Sequence, residues 1–217
     1  MIRTLLFDAD GVLQHHGPFF DEDWIWPAEQ HRELFRRIWA HPKYEGCLEG
    51  RGDFTGVCKA VLAESGWSAC EADQYLDRWM RRGLEPDAIM LGWVQDLRAA
   101  GLACHLATNQ EDVKAEFLER ELGYDEAFDR LFVSCRLGAA KPERRFFEAV
   151  AAALPVPPQE VAFFDDKPEN VQAAIDVGFI GRRFTDRESF ARDVETLTGV
   201  TLAAAQGDPA KVRARLF

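Results

Sequence analysis

Five short apolar runs are spread along this 217-residue chain, and amphipathic helical patterns lie between them. A short apolar run bounded by polar or turn residues is typical of a strand that is buried on both faces of a sheet. The five runs are residues 2–8, 102–107, 131–133, 161–164 and 179–184. Strands that alternate with helices predict an α/β fold built on a parallel, doubly wound sheet.

The helical patterns have recognisable start and stop residues. Ser68 followed by Glu71 has the spacing of a capping box, and Gly83 fits the end of the same helix. Asp53 fits the N-cap of a helix that ends near Gly66. The predicted helices cover residues 27–40, 53–66, 68–83, 86–100, 111–122, 143–153, 169–177 and 186–197, and a short last helix starts at 208–209.

A helical block interrupts the alternation directly after the first strand. We expect residues 1–13 and 86–217 to form an α/β core domain, and residues 14–85 to form a small inserted helical cap domain. The residues that enter this block, 15–23, have the mixed composition of a loop. Five of the six tryptophans lie between Trp24 and Trp79, which indicates an aromatic core of its own for this helical insert.

Composition limits the classes of protein that the chain can belong to. The sequence is 47% hydrophobic and 29% charged, as in ordinary globular proteins. A net charge of −11 argues against a nucleic-acid or anionic-membrane partner, and no apolar run approaches the ~20 residues of a membrane span. The five cysteines form no CxxC pair and the start of the chain lacks a signal-peptide pattern, so we expect a reduced, cytoplasmic protein. Its oligomeric state stays open.

Polar residues follow four of the apolar runs at the point where each strand should end. Ligands of a parallel sheet bind beyond the carboxyl ends of its strands, so these residues should converge. Each alone has a plain alternative, such as an Asp turn, a helix N-cap or a surface lysine. The converging residues are Asp8, Asp10, Thr108, Asn109, Lys141, Asp165 and Asp166.

This set favours phosphoryl transfer. Several carboxylates beside one lysine carry excess negative charge, which a magnesium ion with its oxygen ligands would relieve. An aspartate can act as a nucleophile and form an aspartyl-phosphate. A metal ion and a lysine then stabilise the charge on the transferring group.

Four segments resemble the motifs of the haloacid dehalogenase-like hydrolase superfamily, in order and in spacing. They are Phe7-Asp8-Ala9-Asp10-Gly11-Val12-Leu13, Thr108-Asn109, Lys141-Pro142 and Phe163-Phe164-Asp165-Asp166. The insert after the first segment is similar to the helical cap of that superfamily. Tandem acids followed by Lys167-Pro168-Glu169-Asn170 resemble the branch that contains sugar-phosphate phosphatases and the phosphatase domain of epoxide hydrolases.

The resemblance implies a role for each motif residue. Asp8 would be the nucleophile, and Asp10 the general acid and base whose backbone carbonyl also binds magnesium. Thr108 would hold a phosphoryl oxygen, with Asn109 also in contact with the substrate, and Lys141 would balance the negative charge. Asp8, Asp10, Asp166 and, in support, Asp165 would form the metal site. Asn170 stands where many relatives have a further acid, so the resemblance leaves its part in that site undecided.

Asp10 separates a phosphatase from a dehalogenase. An alkoxide leaving group needs a proton, whereas a halide does not, and the dehalogenases of this superfamily lack an acid at this position. We therefore expect a magnesium-dependent phosphatase of a small phosphorylated metabolite. A sugar-phosphate mutase and, less favoured, a dehalogenase or a non-catalytic binding protein of the same fold are the alternatives.

The helical insert offers weaker candidates. Arg51, in the glycine-flanked stretch before Asp53, could bind a phosphate or sugar oxygen, although a turn in front of that N-cap explains the stretch equally well. His15 and His16 lie where the chain enters the insert, and a solvated loop is favoured over a substrate contact. Trp24 and Trp26 could line an entrance, but packing inside the insert is favoured.

Overall fold

A computed structural model describes residues 2–23 and 27–202. Within them the chain forms seven strands and eleven α-helices. The strands are β1 (Thr4–Phe7), β2 (Gln14–His16), β3 (Leu84–Pro86), β4 (Ala103–Thr108), β5 (Arg130–Val133), β6 (Val161–Asp165) and β7 (Ile180–Arg183). The helices are α1 (Ala28–Trp39), α2 (Tyr44–Leu48), α3 (Phe54–Glu64), α4 (Ala69–Arg82), α5 (Ala88–Ala99), α6 (Asp112–Arg120), α7 (Tyr124–Ala127), α8 (Ser134–Leu137), α9 (Arg144–Ala153), α10 (Pro168–Val177) and α11 (Arg187–Thr198).

The centre of the molecule is a five-stranded sheet in the order β5-β4-β1-β6-β7. Every neighbouring pair is parallel, so all five strands end at the same edge. β1 lies in the middle, between β4 and β6. The α/β fold with a doubly wound parallel sheet that the sequence predicted is confirmed, and each apolar run forms a strand within a few residues of its predicted bounds.

Helices cover both faces of the sheet because successive side chains of a strand point to opposite faces and the central strands are apolar on both. Phe7 of β1 lies in a buried cluster with residues of α5 and α11, and its ring stacks on that of Phe164 at 6.0 Å. Leu6 points the other way, into a cluster with Phe146 and Phe147 of α9. Each such side chain stabilises the fold by about 1.5–3 kcal/mol when it is fully buried. These two layers hold the strand ends in fixed positions.

Helices α1 to α4 share a separate buried cluster, which includes Leu34, Val61, Tyr75 and Trp79. This cluster lies between β2 and β3 in the sequence, and Phe117 of α6 packs against it from the core side. The capping box of Ser68 and Glu71 is confirmed at the start of α4. The side chain of Asp53 accepts a hydrogen bond from the Gly56 amide, which confirms it as the N-cap of α3.

Two local predictions are wrong. Residues 15–23 are not a loop throughout, because β2 pairs antiparallel with β3 and a 3-10 helix follows at Pro18–Phe20. The helix predicted from residue 86 begins at Ala88, because Asp87 caps it and Pro86 belongs to β3. The predicted domain boundaries, 14 and 85, fall in this two-stranded ribbon.

Some predictions lie outside the described residues: the last short helix at 208–209 and the positions of Trp24 and Trp26. Among the helices that the structure describes, none is long and apolar enough to cross a membrane.

Candidate active site

Lys141 joins two buried carboxylates at the carboxyl edge of the sheet. Its Nζ lies 2.8 Å from Asp8 Oδ1 and 2.7 Å from Asp165 Oδ2. Asp8 directly follows β1 and Asp165 ends β6, so the parallel register of these neighbouring strands brings them together. All three side chains are almost completely buried. A buried cation is tolerated here because two carboxylates compensate its charge.

Burial and the neighbouring charges set the protonation states of Asp8 and Lys141. Burial raises the pKa of Asp8 to about 7, with a further contribution from Asp165 and against the effect of Lys141. For Lys141, burial acts to lower the pKa, but the charges of Asp8 and Asp165 raise it above its ordinary value. Lys141 therefore stays a cation, while Asp8 titrates close to neutral pH.

One oxygen of Asp8 is held and the other is not. Oδ1 accepts hydrogen bonds from the Ala9 amide at 2.7 Å and from Lys141. Oδ2 makes no hydrogen bond to any residue within the described ranges. The carboxylate is thus oriented through one oxygen and offers the second to a ligand.

Asp10 is held differently. Its side chain is 51% exposed, and it accepts hydrogen bonds from Gln14 Nε2 at 2.8 Å and Gln110 Nε2 at 2.7 Å. Lys114 Nζ lies 3.5 Å away, and the Tyr124 hydroxyl donates to Gln14 at 3.1 Å. Partial desolvation acts to raise the pKa of Asp10, but Lys114 and the two amides lower it below its ordinary value.

Sequence reasoning missed Gln14, Gln110 and Lys114. Gln110 also donates to Thr108 Oγ1 at 3.2 Å, so one amide joins the residue at the end of β4 to Asp10. Thr108 is buried, at the position where the sequence predicted a phosphate contact. The one signal in the sequence was that Gln14 lies close to Asp10 in the chain and Gln110 close to Thr108. Glutamine and lysine are common on surfaces, so the residue types alone did not indicate a site.

Asn109 fixes the segment that carries Lys141. Its Nδ2 donates to the Lys141 carbonyl and its Oδ1 accepts from the Lys141 amide, both at 2.8 Å. The sequence predicted a substrate contact for Asn109, and the structure places its amide on the backbone of Lys141. The contact explains how a residue from a loop after α8 reaches the centre of the site.

Oxygen atoms of Asp8, Asp165 and Asp166 lie within 4.8 Å of one another, a spacing that fits one metal ion. Asp166 Oδ1 is buried and has no hydrogen-bond partner among the described residues, which is costly unless a cation binds there. Asp165 already accepts from the Lys167 amide and from Asn170 Nδ2. Asp8 and Asp166 therefore have the available oxygens, and Asn170 holds Asp165 in place.

The candidates on the helical insert lie elsewhere. Arg51 pairs with Glu49, which also pairs with Arg145 of α9 and so links the insert to the core. His15 lies in β2, with Nε2 3.6 Å from Asp87 Oδ2. Within the described ranges, no ion pair joins either residue to Lys141 or its two carboxylates. The contact of Arg51 with a phosphate or sugar oxygen stays a prediction, and His15 lies in a strand where the sequence favoured a solvated loop.

The chain belongs to the haloacid dehalogenase-like hydrolase family, because the model of that family matches residues 2–178. The match confirms the resemblance drawn from the four sequence motifs, and it places the chain in a family of hydrolases.

Relatives of the chain include a phosphatase and a mononucleotide hydrolase by name. A sesquiterpene phosphatase of Aspergillus oryzae is 35% identical over 117 residues, which cover 54% of this chain and 59% of the relative. A flavin mononucleotide hydrolase of Arabidopsis thaliana is 32% identical over 56% of this chain and 49% of its own. The chain thus spans about half the length of these two relatives.

Solved structures share the fold. A HAD family enzyme of Bacteroides thetaiotaomicron, in complex with magnesium and inorganic phosphate, has a TM-score of 0.69 at 18% identity and covers 86% of this chain and 95% of its own. The L-2-haloacid dehalogenase of Xanthobacter autotrophicus has a TM-score of 0.65 at 22% identity over 99% and 88%. Both a phosphate-binding enzyme and a dehalogenase have this fold, so the site must decide between the two chemistries.

Proposed function

We propose that the protein is a magnesium-dependent phosphatase that hydrolyses a small phosphorylated metabolite through an aspartyl-phosphate on Asp8. The observation that carries this proposal is Asp10, an acid beside the Asp8–Lys141 pair. A carbon–halogen bond breaks without a proton, whereas an ester oxygen leaves far more readily when it is protonated. The sesquiterpene phosphatase and the flavin mononucleotide hydrolase among the relatives support the same choice.

In the first half-reaction, Asp8 Oδ2 attacks phosphorus. A bond forms between Oδ2 and phosphorus, the ester P–O bond breaks, and Asp10 gives its proton to the leaving oxygen. Lys141 stabilises the negative charge near Asp8 Oδ1, and the Thr108 hydroxyl donates to a phosphoryl oxygen. Asp10 is ionised in the free protein, but the approach of a phosphate dianion raises its pKa and so loads it with the proton.

In the second half-reaction, Asp10 takes a proton from water, and the water oxygen attacks phosphorus. The bond between phosphorus and Asp8 breaks, which releases inorganic phosphate and restores both carboxyl groups. Gln14 and Gln110 hold the Asp10 carboxylate in one orientation for both proton transfers. The same residue thus serves as acid and then as base, as the net hydrolysis requires.

The donor set fits magnesium. Asp8, Asp166 and the backbone carbonyl of Asp10 would hold the ion, with Asp165 in support. When bound, it neutralises charge on the phosphoryl group. The unpartnered Asp166 Oδ1 supports this assignment, because a buried carboxylate oxygen without a partner is otherwise costly.

We also infer that the protein functions in a reducing compartment, the cytoplasm. All five cysteines are free, and Cys47, Cys58 and Cys104 are buried. Burial raises the pKa of Cys104 to about 12, which keeps this thiol protonated and unreactive.

The test is a screen of phosphate monoesters with purified protein, with magnesium and with a chelator. We expect free phosphate that depends on the metal. An isomerised ester without free phosphate would favour the mutase alternative, and turnover of a haloacid in place of any ester would favour a dehalogenase. If the protein releases phosphate from none of the esters, the proposal is overturned.

A further inference from the structure

Glu111 is a buried carboxyl group that the proposed mechanism does not use. It is 3% exposed, and its Oε2 atom has no hydrogen-bond partner among the described residues. It directly precedes α6 but makes no side-chain cap to that helix. Burial raises its pKa to about 7. A buried acceptor without a partner destabilises a protein, so its retention needs another explanation.

Glu111 lies between two residues that contact Asp10. Gln110, the residue before it, donates to Asp10 Oδ2 at 2.7 Å. Lys114, one helical turn after it, has its Nζ 3.5 Å from Asp10 Oδ1. Because Asp10 is the proposed proton donor to the leaving oxygen, Glu111 lies on the leaving-group side of the site.

Glu111 also lies near the helical insert. Val113, two residues further along the chain, and Tyr44 of α2 pack against the same buried cluster of that insert. Burial raises the pKa values of Tyr44 and of Cys58 in α3, and the nearby charge of Glu111 raises them further. The charge of Asp10 also raises the pKa of Tyr44. Tyr44 thus lies near both carboxyl groups, where the insert meets the core.

Aromatic rings connect this region to the surface. The Tyr44 ring lies 6.4 Å from Trp39 and 6.2 Å from Phe54, and Phe35 lies 4.1 Å from Trp39. Trp39 is 48% exposed, one of two large apolar side chains exposed in the described part of the chain. The Tyr44 hydroxyl makes no hydrogen bond to a described residue. These ring contacts therefore run from an exposed side chain to Tyr44, whose hydroxyl is the polar end of the row.

We propose that Glu111 and Tyr44 form a subsite for the leaving group of the substrate. The substrate would be a phosphate monoester of an aromatic or similarly apolar alcohol that carries a second hydroxyl group. That hydroxyl donates to Glu111 Oε2, and the apolar body packs on the rings of Tyr44 and Trp39. The position of the phosphate at Asp8 rests on the proposed function; the recognition by Glu111 and Tyr44 does not require turnover.

Binding of non-hydrolysable phosphonates tests the subsite separately from catalysis. The probes are benzyl phosphonate, its three ring-hydroxylated isomers, and methyl phosphonate, titrated by calorimetry with magnesium present. At about pH 8.5, where Glu111 is ionised, we expect the wild type to bind at least one hydroxylated isomer about tenfold or more tightly than benzyl phosphonate, because a hydrogen bond to a charged acceptor is among the stronger ones.

Glu111→Met removes the acceptor and keeps the volume. We expect it to abolish the preference for the hydroxylated isomer and to leave benzyl phosphonate binding unchanged. Glu111→Gln keeps an acceptor oxygen and should retain part of the preference. Glu116→Met is the matched control, because Glu116 is an exposed residue of the same helix that pairs with Arg120. Tyr44→Leu should weaken all benzyl phosphonates and leave methyl phosphonate unchanged.

Three results would overturn the subsite: no preference in the wild type, a preference that survives Glu111→Met, or an equal loss for all phosphonates in that variant, which would mean that Glu111 acts through Lys114. The corresponding benzyl phosphates test turnover. A retained preference in binding without phosphate release would contradict the phosphatase and support the subsite.

Discussion

At the scale of single residues, the site depends on one cation between two buried acids. Lys141 contacts both Asp8 and Asp165, and each of these carboxylates lies at the end of a central strand. A buried ion group of this kind is destabilising when one member is removed, because the remaining charges lose their compensation. The chemistry and the stability of the site therefore depend on the same contacts.

Lys141→Met should lower the free energy of unfolding by about 3–5 kcal/mol near pH 8. Burial already raises the pKa of Asp8 to about 7 against the effect of Lys141, so removal of the lysine raises the pKa of Asp8 further above its unfolded-state value. The loss of stability therefore grows as pH rises above about 7 and is smaller at pH 5, where Asp8 is protonated with or without the lysine. Urea denaturation at both pH values measures this, with Lys167→Met as the exposed control. An equal loss at both pH values would contradict the account.

Magnesium affinity should depend on the protonation of Asp8. Its pKa of about 7 means that the proton and the metal compete for the carboxylate near neutral pH. Below pH 7 the ionised fraction falls with pH, so the affinity should fall about tenfold for each pH unit. Calorimetric titration between about pH 8 and pH 5.5 tests this expectation. An affinity that stays constant over that range would show that Asp8 is not a ligand.

The position of a residue at the carboxyl edge of the sheet could be predicted where a polar residue follows an apolar run. Asp8, Thr108 and Asp165 are unusual residues at the ends of apolar runs, and the parallel sheet brings such ends together. Nothing in the sequence distinguishes Gln14 and Glu111 from other polar residues, because glutamine and glutamate are common in helices and at turns. Their contacts depend on how the helical insert meets the core, which no local pattern encodes.

At the scale of elements, the turn after β1 limits what can stand beside the metal site. Gly11 has a φ of +84°, a conformation that side chains rarely adopt. A Cβ atom added there would lie 2.7 Å from Asp166 Cγ and Oδ2. The turn and the tandem acids after β6 therefore fit together because this position has no side chain.

Gly11→Ala should displace Asp166 and weaken magnesium binding by about tenfold or more, and it should also destabilise the fold by about 1 kcal/mol or more through backbone strain. Gly46→Ala is the control, because Gly46 lies in α2, a Cβ added there would meet open space, and the variant should gain about 0.5–1 kcal/mol. Metal titration and thermal unfolding of both variants measure this. Unchanged metal affinity in Gly11→Ala would contradict the assignment of Asp166.

The sequence did not predict β2 and β3, which are short strands that pair with each other. β2 and β3 have three residues each and lie about 70 positions apart in the chain, so neither shows an alternating pattern that marks a strand. The N-caps at Asp53 and Ser68 could be predicted, because a cap is a local hydrogen bond between near neighbours.

At the scale of the whole molecule, the net negative charge opposes the binding of the proposed anionic substrate. The chain carries a net charge of −11, and a phosphate monoester carries up to about two negative charges at neutral pH. The long-range field therefore opposes the encounter, while Lys141, Lys114 and the proposed magnesium ion attract the phosphate at short range. The sheet and helices α1 to α4 have separate buried clusters.

Added salt should therefore raise kcat/KM for a phosphate monoester modestly, by roughly a factor of two up to about 0.15 M ionic strength, where charges more than about 8 Å apart are largely screened. Initial rates at low substrate concentration, with magnesium held saturating, measure the effect. A steep fall with salt would instead indicate a basic entrance, which the net charge does not predict.

The central claim is that Asp8 forms a bond to phosphorus and that Asp10 moves the proton. Asp10→Asn separates the two steps when the substrate is an aryl phosphate, whose leaving group needs no proton, while attack by water still needs a base. Intact-protein and peptide mass spectrometry after rapid acid quench is the direct measurement. We predict strongly depressed turnover and a phosphoryl adduct on Asp8 that persists. Undiminished turnover in this variant, or an adduct that maps to another residue, would contradict the claim.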